Sequence, residues 1–235
     1  MFPFRDRIQA STVSWITYLL VAANVVVFLW ELSMGSGLPE FIRENAVVPA
    51  RLADLGGDGA GAWIDAARRS AFSMFLHGGW LHLILNMWYL WIFGDNVEDR
   101  LGRARYVALY LAAGVAGTVA HVWAHPTSEI PVVGASGAIA GVLGAYLVTY
   151  PRVRVLTGIP IFVFLHLVEL PAWVLLGLWF ALQFLSGAAA ISTTQVSAGG
   201  VAWWAHIGGF VAGMALMAVL KIGRPERGRR TGRGG

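Results

Sequence analysis

Long apolar runs separated by short polar stretches dominate this chain. A helix needs about 20 mostly apolar residues to cross a bilayer. Six stretches meet or approach that length: 13–32, 80–93 with a turn or so beyond, 106–124, 136–150, a stretch within 159–185 whose core starts at Pro171, and 201–222. The fourth is short and Gly-rich. The first follows Arg5 and Arg7, as the apolar core of a signal peptide would. It is too long for that role and lacks a small-x-small cleavage site, so it is expected to be retained. The pattern therefore predicts an all-α membrane protein, a six-transmembrane-helix bundle with both termini on one side. Residues 1–12 form an N-terminal segment, 13–222 the membrane domain with a long outer loop at 33–79, and 223–235 a disordered Arg- and Gly-rich tail. Within the outer loop, 38–45 and 63–69 read as short amphipathic helices lying at the interface.

Composition and charge sharpen this picture. Hydrophobic residues make up 57% of the 235 residues and charged ones only 13%, about half the usual share in a soluble domain. All but four of the 17 Lys and Arg fall on the side of the termini; the exceptions, Arg43, Arg51, Arg68 and Arg69, share the outer loop. Basic loops stay in the cytoplasm, so both termini are expected to be cytoplasmic, in a cell membrane. The preference for Arg over Lys, with abundant Ala and Gly, suggests a bacterial inner membrane. The basic tail then reads as a contact for anionic lipid rather than for nucleic acid. With no cysteine in the chain, disulfides, zinc–thiolate sites and thiol nucleophiles are excluded.

Polar groups within apolar spans are costly and mark candidate sites. They are Asn24, His82, Asn86, His121, Ser136, Gln183 and His206, with Glu169 near a helix end. His82 and Asn86 are four apart and share one helix face. On local grounds they could equally serve as a structural hydrogen bond to a neighbouring helix. Ser136 stands in Gly134-Ala135-Ser136-Gly137 where the fourth span starts, so it is either a helix cap or a nucleophile beside free helix-end amides. His206 precedes Gly209 and Gly213, a small-residue face that matches the Gly137, Ala140, Gly141 and Gly144 face of the fourth span. Packing those faces would bring the Ser136 hydroxyl to the His206 imidazole, as a base-activated nucleophile requires. Glu129 lies in an outer loop and Glu169 on the inner side, so no acid is placed to orient the imidazole and a two-residue dyad is expected.

These residues resemble the rhomboid family of intramembrane serine proteases. The likeness rests on His77-Gly78-Gly79-Trp80-Leu81-His82 with Asn86, on Gly134-Ala135-Ser136-Gly137, on Ala205-His206 with Gly209 and Gly213, and on 94–102 as the loop between the second and third spans. It runs from about Arg68 to Gly213, and the first span also fits. The resemblance implies Ser136 as nucleophile and His206 as general base and then acid. It implies an oxyanion hole of the His82 and Asn86 side chains with the Ser136 backbone amide. His77, Gly134, Gly137, Arg69 and Gly209 would support the site. Arg68 stands where the family's Trp-Arg pair has its Trp. Ala140 stands where some members carry a Tyr on the catalytic imidazole, so another aromatic, or nothing, is expected to hold the ring. The implied substrates are single-pass or multi-pass membrane proteins, cleaved near the outer face, with lipid as the surrounding partner and no cofactor, metal or nucleic acid. His121, His125 and His166 read as structural or interfacial, without metal-ligand spacing on one helix face. Gating is expected from the fifth span and from 192–200. Two other readings compete: a non-catalytic client-binding protein on the same scaffold, and a small transporter, against which the apolar inner halves of the spans argue.

Overall fold

The computed structural model describes residues 1–53, 60–192 and 202–222. In chain order the elements are β1 (Phe2–Asp6), α1 (Trp15–Ser33), α2 (Leu38–Asn45), α3 (Pro49–Ala53), α4 (Ala60–Ser73), α5 (Trp80–Leu101), α6 (Arg103–Ala124), α7 (Ser136–Thr149), β2 (Arg154–Ile161), β3 (Phe164–Pro171), α8 (Ala172–Ser192) and α9 (Trp203–Leu220). The Gly-rich patch of the outer loop lies largely outside the described residues, as do 193–200 and the basic tail.

Among the described residues four helices are long and apolar enough to cross a membrane: Trp15–Ser33, Arg103–Ala124, Ala172–Ala189 and Trp203–Leu220. Their outward faces are apolar too: Val26, Val119, Leu182 and Val219 are each more than half exposed. In water such faces would be unstable; against lipid they lose nothing. α7 is apolar on every side, and every residue from Gly137 to Tyr146 is buried, as expected of a helix enclosed by others. It packs against α5, α6, α8 and α9.

Glycines set how closely these helices approach. A Cβ at Gly209 or Gly213 would collide with the backbone carbonyl of Gly137 or Gly141, and one at Gly117 would lie 2.5 Å from the Ala205 carbonyl. The matched small faces read from the sequence are therefore in backbone contact, where dispersion and close packing replace the hydrophobic effect as the source of helix association.

Two expectations are corrected. The second span continues through residues 94–101, which the sequence suggested as a loop. Its polar end is paired inside the protein. The Glu98 carboxylate accepts from the backbone N–H of Ile16 and Thr17 at 3.0 and 2.8 Å, capping the start of α1, and Asp99 accepts from Ser11 and Thr12. Gly102 at φ 74° then ends the helix.

The second correction concerns the all-α class. Residues 154–171 form a β-hairpin, to which β1 adds as a third antiparallel strand in the order β1-β2-β3. Pro160 denies the backbone a donor that a helix interior needs, and Phe162 turns the chain at φ 54°. The N-terminal segment and the start of the fifth stretch are thus strands, and the helical part begins at Ala172, one residue past the expected Pro171.

Candidate active site

α5, α7 and α9 begin at the same end of the bundle, and their first two turns carry the candidate groups. His82 and Asn86 project from one face of α5. Ser136 is the first residue of α7, and His206 lies in the first turn of α9. A cavity of about 860 Å³ is lined by His82, Asn86, Ser136 and His206 together with Trp179, Met1 and Phe2. The structure thus brings the four chemical groups to one cavity wall. Among the described residues no hydrogen bond joins the Ser136 hydroxyl to His206, whose ring bonds Gln183 instead.

Ser136 does not act as a cap. Ala135 occupies the cap position of α7, and no side chain bonds there. The hydroxyl is free of that duty, and the backbone N–H of Ser136, in the first turn, has no partner inside the helix. Gly134 sits at φ 116°, a conformation natural only to glycine. A Cβ there would lie 2.7 Å from His82 Nε2 and 3.7 Å from Asn86 Nδ2, so only glycine lets the loop reach both side chains. The loop is anchored from outside by Gly134 N–H donating to the Ser73 carbonyl at 2.9 Å and Val132 N–H donating to the Val47 carbonyl at 2.8 Å.

His77 holds Asn86. The His77 Nδ1–H donates to the Phe75 carbonyl at 3.2 Å, which leaves Nε2 to accept from Asn86 Nδ2 at 3.0 Å. One amide hydrogen is thereby used and the other is left for the cavity. Burial, helped by the His82 imidazole, pushes His77 down to about 4, so it is the neutral acceptor near pH 7. The Glu31 carboxylate accepts the His77 backbone N–H at 3.1 Å.

His206 is held by α8. Its Nδ1 lies 2.5 Å from Gln183 Oε1. An amide oxygen can only accept, so Nδ1 carries the hydrogen and Nε2 keeps its lone pair. The Trp179 ring lies over the imidazole at 5.9 Å and 32°, with Trp203 edge-on at 6.3 Å. Trp179 and Gln183 are four apart on one face of α8. Together they contact the imidazole, for which the sequence offered neither a nearby acid nor an aromatic at position 140. Gln183 was visible in the sequence as a polar intruder; nothing there tied it to His206.

Gly137 and Gly209 serve close packing, as described above. Arg69 pairs with Asp65 and donates to the Glu44 carbonyl, joining α4 to α2; Arg68 also bonds Asp65, at 2.8 Å. The outer loop is thus cross-braced without the tryptophan. His121, in the last turn of α6, stacks at 4.9 Å on His125, the residue that caps that helix. Among the described residues no group of three ligating side chains could hold a metal. His166 lies on β3, opposite Ile159.

A family model, described as the Rhomboid domain, matches residues 65–222. The chain is 30% identical over 148 residues to Rhomboid protein 1, mitochondrial, of Saccharomyces cerevisiae, covering 60% of this chain and 38% of that protein. It is 35% identical over 137 residues to Rhomboid protease GluP of Bacillus subtilis, covering 56% of this chain and 24% of that one. It is 38% identical over 150 residues to Presenilin-associated rhomboid-like protein, mitochondrial, of Bos taurus, covering 62% and 36%. The chain therefore spans well under half the length of each of these relatives.

Proposed function

The chain belongs to the rhomboid family of multi-pass membrane proteins, and on that premise we propose that it is an intramembrane serine endopeptidase. It cleaves membrane-anchored proteins near the outer face through Ser136 and His206. The observation that carries this reading is the single cavity whose wall holds Ser136, His206, His82 and Asn86, sunk among apolar helices. In the proposed topology α1, α5, α6, α7, α8 and α9 cross the membrane with the start of α1 and the end of α9 on the cytoplasmic side, so the cavity lies toward the outer face; the expected cytoplasmic N-terminal segment is corrected in part, because β1 carries Met1 and Phe2 up to the cavity wall.

The chemistry follows from the atoms. Substrate binding closes the gap between Ser136 Oγ and His206 Nε2, a contact that often tightens only with substrate present. Oγ attacks the scissile carbonyl carbon while Nε2 takes its proton. The carbonyl oxygen becomes an oxyanion, stabilised by the Ser136 N–H and the His82 and Asn86 side chains. His206 returns the proton to the leaving amine. Water from the cavity then hydrolyses the acyl-enzyme by the same path in reverse. Gln183 keeps the hydrogen on Nδ1 throughout and accepts a stronger bond when the ring becomes cationic.

The reading is tested with the purified protein in liposomes. It is expected to cleave a fluorescent single-pass substrate and to be labelled by a fluorophosphonate. Neither signal, from protein that is folded by circular dichroism, would favour the non-catalytic client-binding alternative. The role of Gln183 has its own measurement. Gln183→Met, which removes the acceptor at nearly constant volume, is expected to lower kcat by about 10- to 100-fold with KM unchanged, less than the full contribution of an acid–base group. Gln183→Glu, which keeps an acceptor, is expected to recover most of the rate. Equal rates in both variants and the wild type would remove the orienting role.

A further inference from the structure

Among the described residues no packed helix face joins α5 to α8; β1 lies on α5, and the β2–β3 hairpin runs directly into the start of α8. β1 is held by the middle of α5. The Trp88 indole Nε1 donates to the Pro3 carbonyl at 2.5 Å, the Phe4 and Trp88 rings meet edge-on at 5.9 Å, and the Tyr89 hydroxyl reaches the Met1 carbonyl at 3.5 Å. At its other end, Asp6 accepts from the Tyr146 hydroxyl at 2.6 Å and from Asn96 at 3.0 Å, near the far ends of α7 and α5. β1 thus runs from the cavity, where Met1 and Phe2 stand on the wall with Ser136 and His206, toward the opposite end of the bundle.

We propose that the edge of β2 now covered by β1, from Val155 to Gly158, is the docking strand for the unwound segment of a membrane-anchored substrate, which takes the place of β1. This rests on the reading of Ser136 and His206 as the cleaving pair. A transmembrane segment must become extended before it is hydrolysed, and lipid offers its freed N–H and C=O groups no partner. A strand edge beside the cavity supplies those partners through main-chain pairing.

Three observations favour exchange with β1. First, its ladder is short and flawed. Only four residue pairs join it to β2, the register shifts between Pro3 and Arg5, and Pro3 has no N–H to give. β3, by contrast, pairs with β2 along eight positions from Arg154 to Ile161, so β1 is the strand that can leave. Second, its direction is right: a substrate chain continuing inward past the scissile bond would run the same way. Third, the seat fits an apolar segment. The Phe4 ring rests over Gly158, where a Cβ would lie 2.7 Å from it and 3.0 Å from Leu165. The missing side chain at 158 leaves room for one bulky apolar group of the incoming strand at the place Phe4 now fills.

A disulfide lock tests this, since the chain has no other cysteine. Arg5 and Leu156 face each other across the ladder. Arg5→Cys with Leu156→Cys, once oxidised in liposomes, is expected to lose at least about tenfold of its activity on a single-pass substrate and to regain it on reduction. Fluorophosphonate labelling, which needs only the cavity mouth, is expected to persist in both states. Labelling with equal cleavage in the oxidised and reduced forms would overturn the docking proposal alone; no labelling in either form would overturn the protease reading instead. Leu156→Cys by itself, mixed with a substrate carrying one cysteine past its scissile bond, gives a second readout. A disulfide to position 156 in preference to a control cysteine replacing Leu182 supports the proposal. Crosslinking at 182 alone, or no adduct at either position, overturns it.

Discussion

Ser136→Ala is expected to abolish cleavage of a membrane-anchored substrate, a loss of about 10³-fold or more, and to abolish fluorophosphonate labelling entirely. The variant is unusually informative because the hydroxyl has no structural task. Ala135, not Ser136, is the cap residue of α7, and no side chain bonds the helix start. Ordinary cap removal costs about 0.5–2 kcal/mol; here that term is absent, so the melting temperature should stay within about a degree or two of wild type. The comparison isolates chemistry from folding. Cleavage by Ser136→Ala at the wild-type rate would refute the nucleophile assignment, whatever the fold of the chain.

The second large effect is expected at the oxyanion donors. His82→Ala and Asn86→Ala should each lower kcat by about 10²- to 10³-fold with little change in KM, because an oxyanion donor acts in the transition state and scarcely in the ground state. The two variants should differ in stability. Asn86 donates to His77 Nε2 at 3.0 Å, so its removal strands a buried acceptor, at a cost of about 1–3 kcal/mol. Among the described residues His82 makes no hydrogen bond to another side chain, and its ring packs edge-on against His77 at 5.1 Å. Asn86→Ala is therefore expected to melt at lower temperature than His82→Ala. Wild-type turnover in both would remove the oxyanion role from α5, and equal melting would contradict the positioning of Asn86 by His77.

Some of the site was legible from spacing alone. The four-residue step between His82 and Asn86 fixes a common helix face whatever surrounds it. The glycines at 137, 141, 209 and 213 foretold close helix contact, because a missing Cβ has the same consequence wherever two backbones meet. The extent of α5 was not legible. Glu98 and Asp99 look like a loop to any reading that weighs charge against lipid, and their partners at Ser11, Thr12, Ile16 and Thr17 are what let a helix continue there. The hairpin was hidden for a related reason. An apolar run such as 159–170 suits a buried strand or a spanning helix equally well, and periodicity does not separate the two.

Taken by itself, the sequence determined the class of environment and the chemical inventory: apolar runs of spanning length, a one-sided distribution of Arg and Lys, a hydroxyl between glycines, and imidazoles at helix starts. These are local properties, fixed by residue type and spacing. Which groups serve one another was decided only by tertiary structure. Gln183 and Trp179 reach from α8 to His206 on α9, His77 turns its Nε2 to Asn86 because the Phe75 carbonyl occupies its Nδ1, and β1 places the chain's first residues on the cavity wall. Each is a contact between segments far apart in the chain, and a pairing of that kind is set by how helices and strands pack together, which the order of residues within any one segment does not encode.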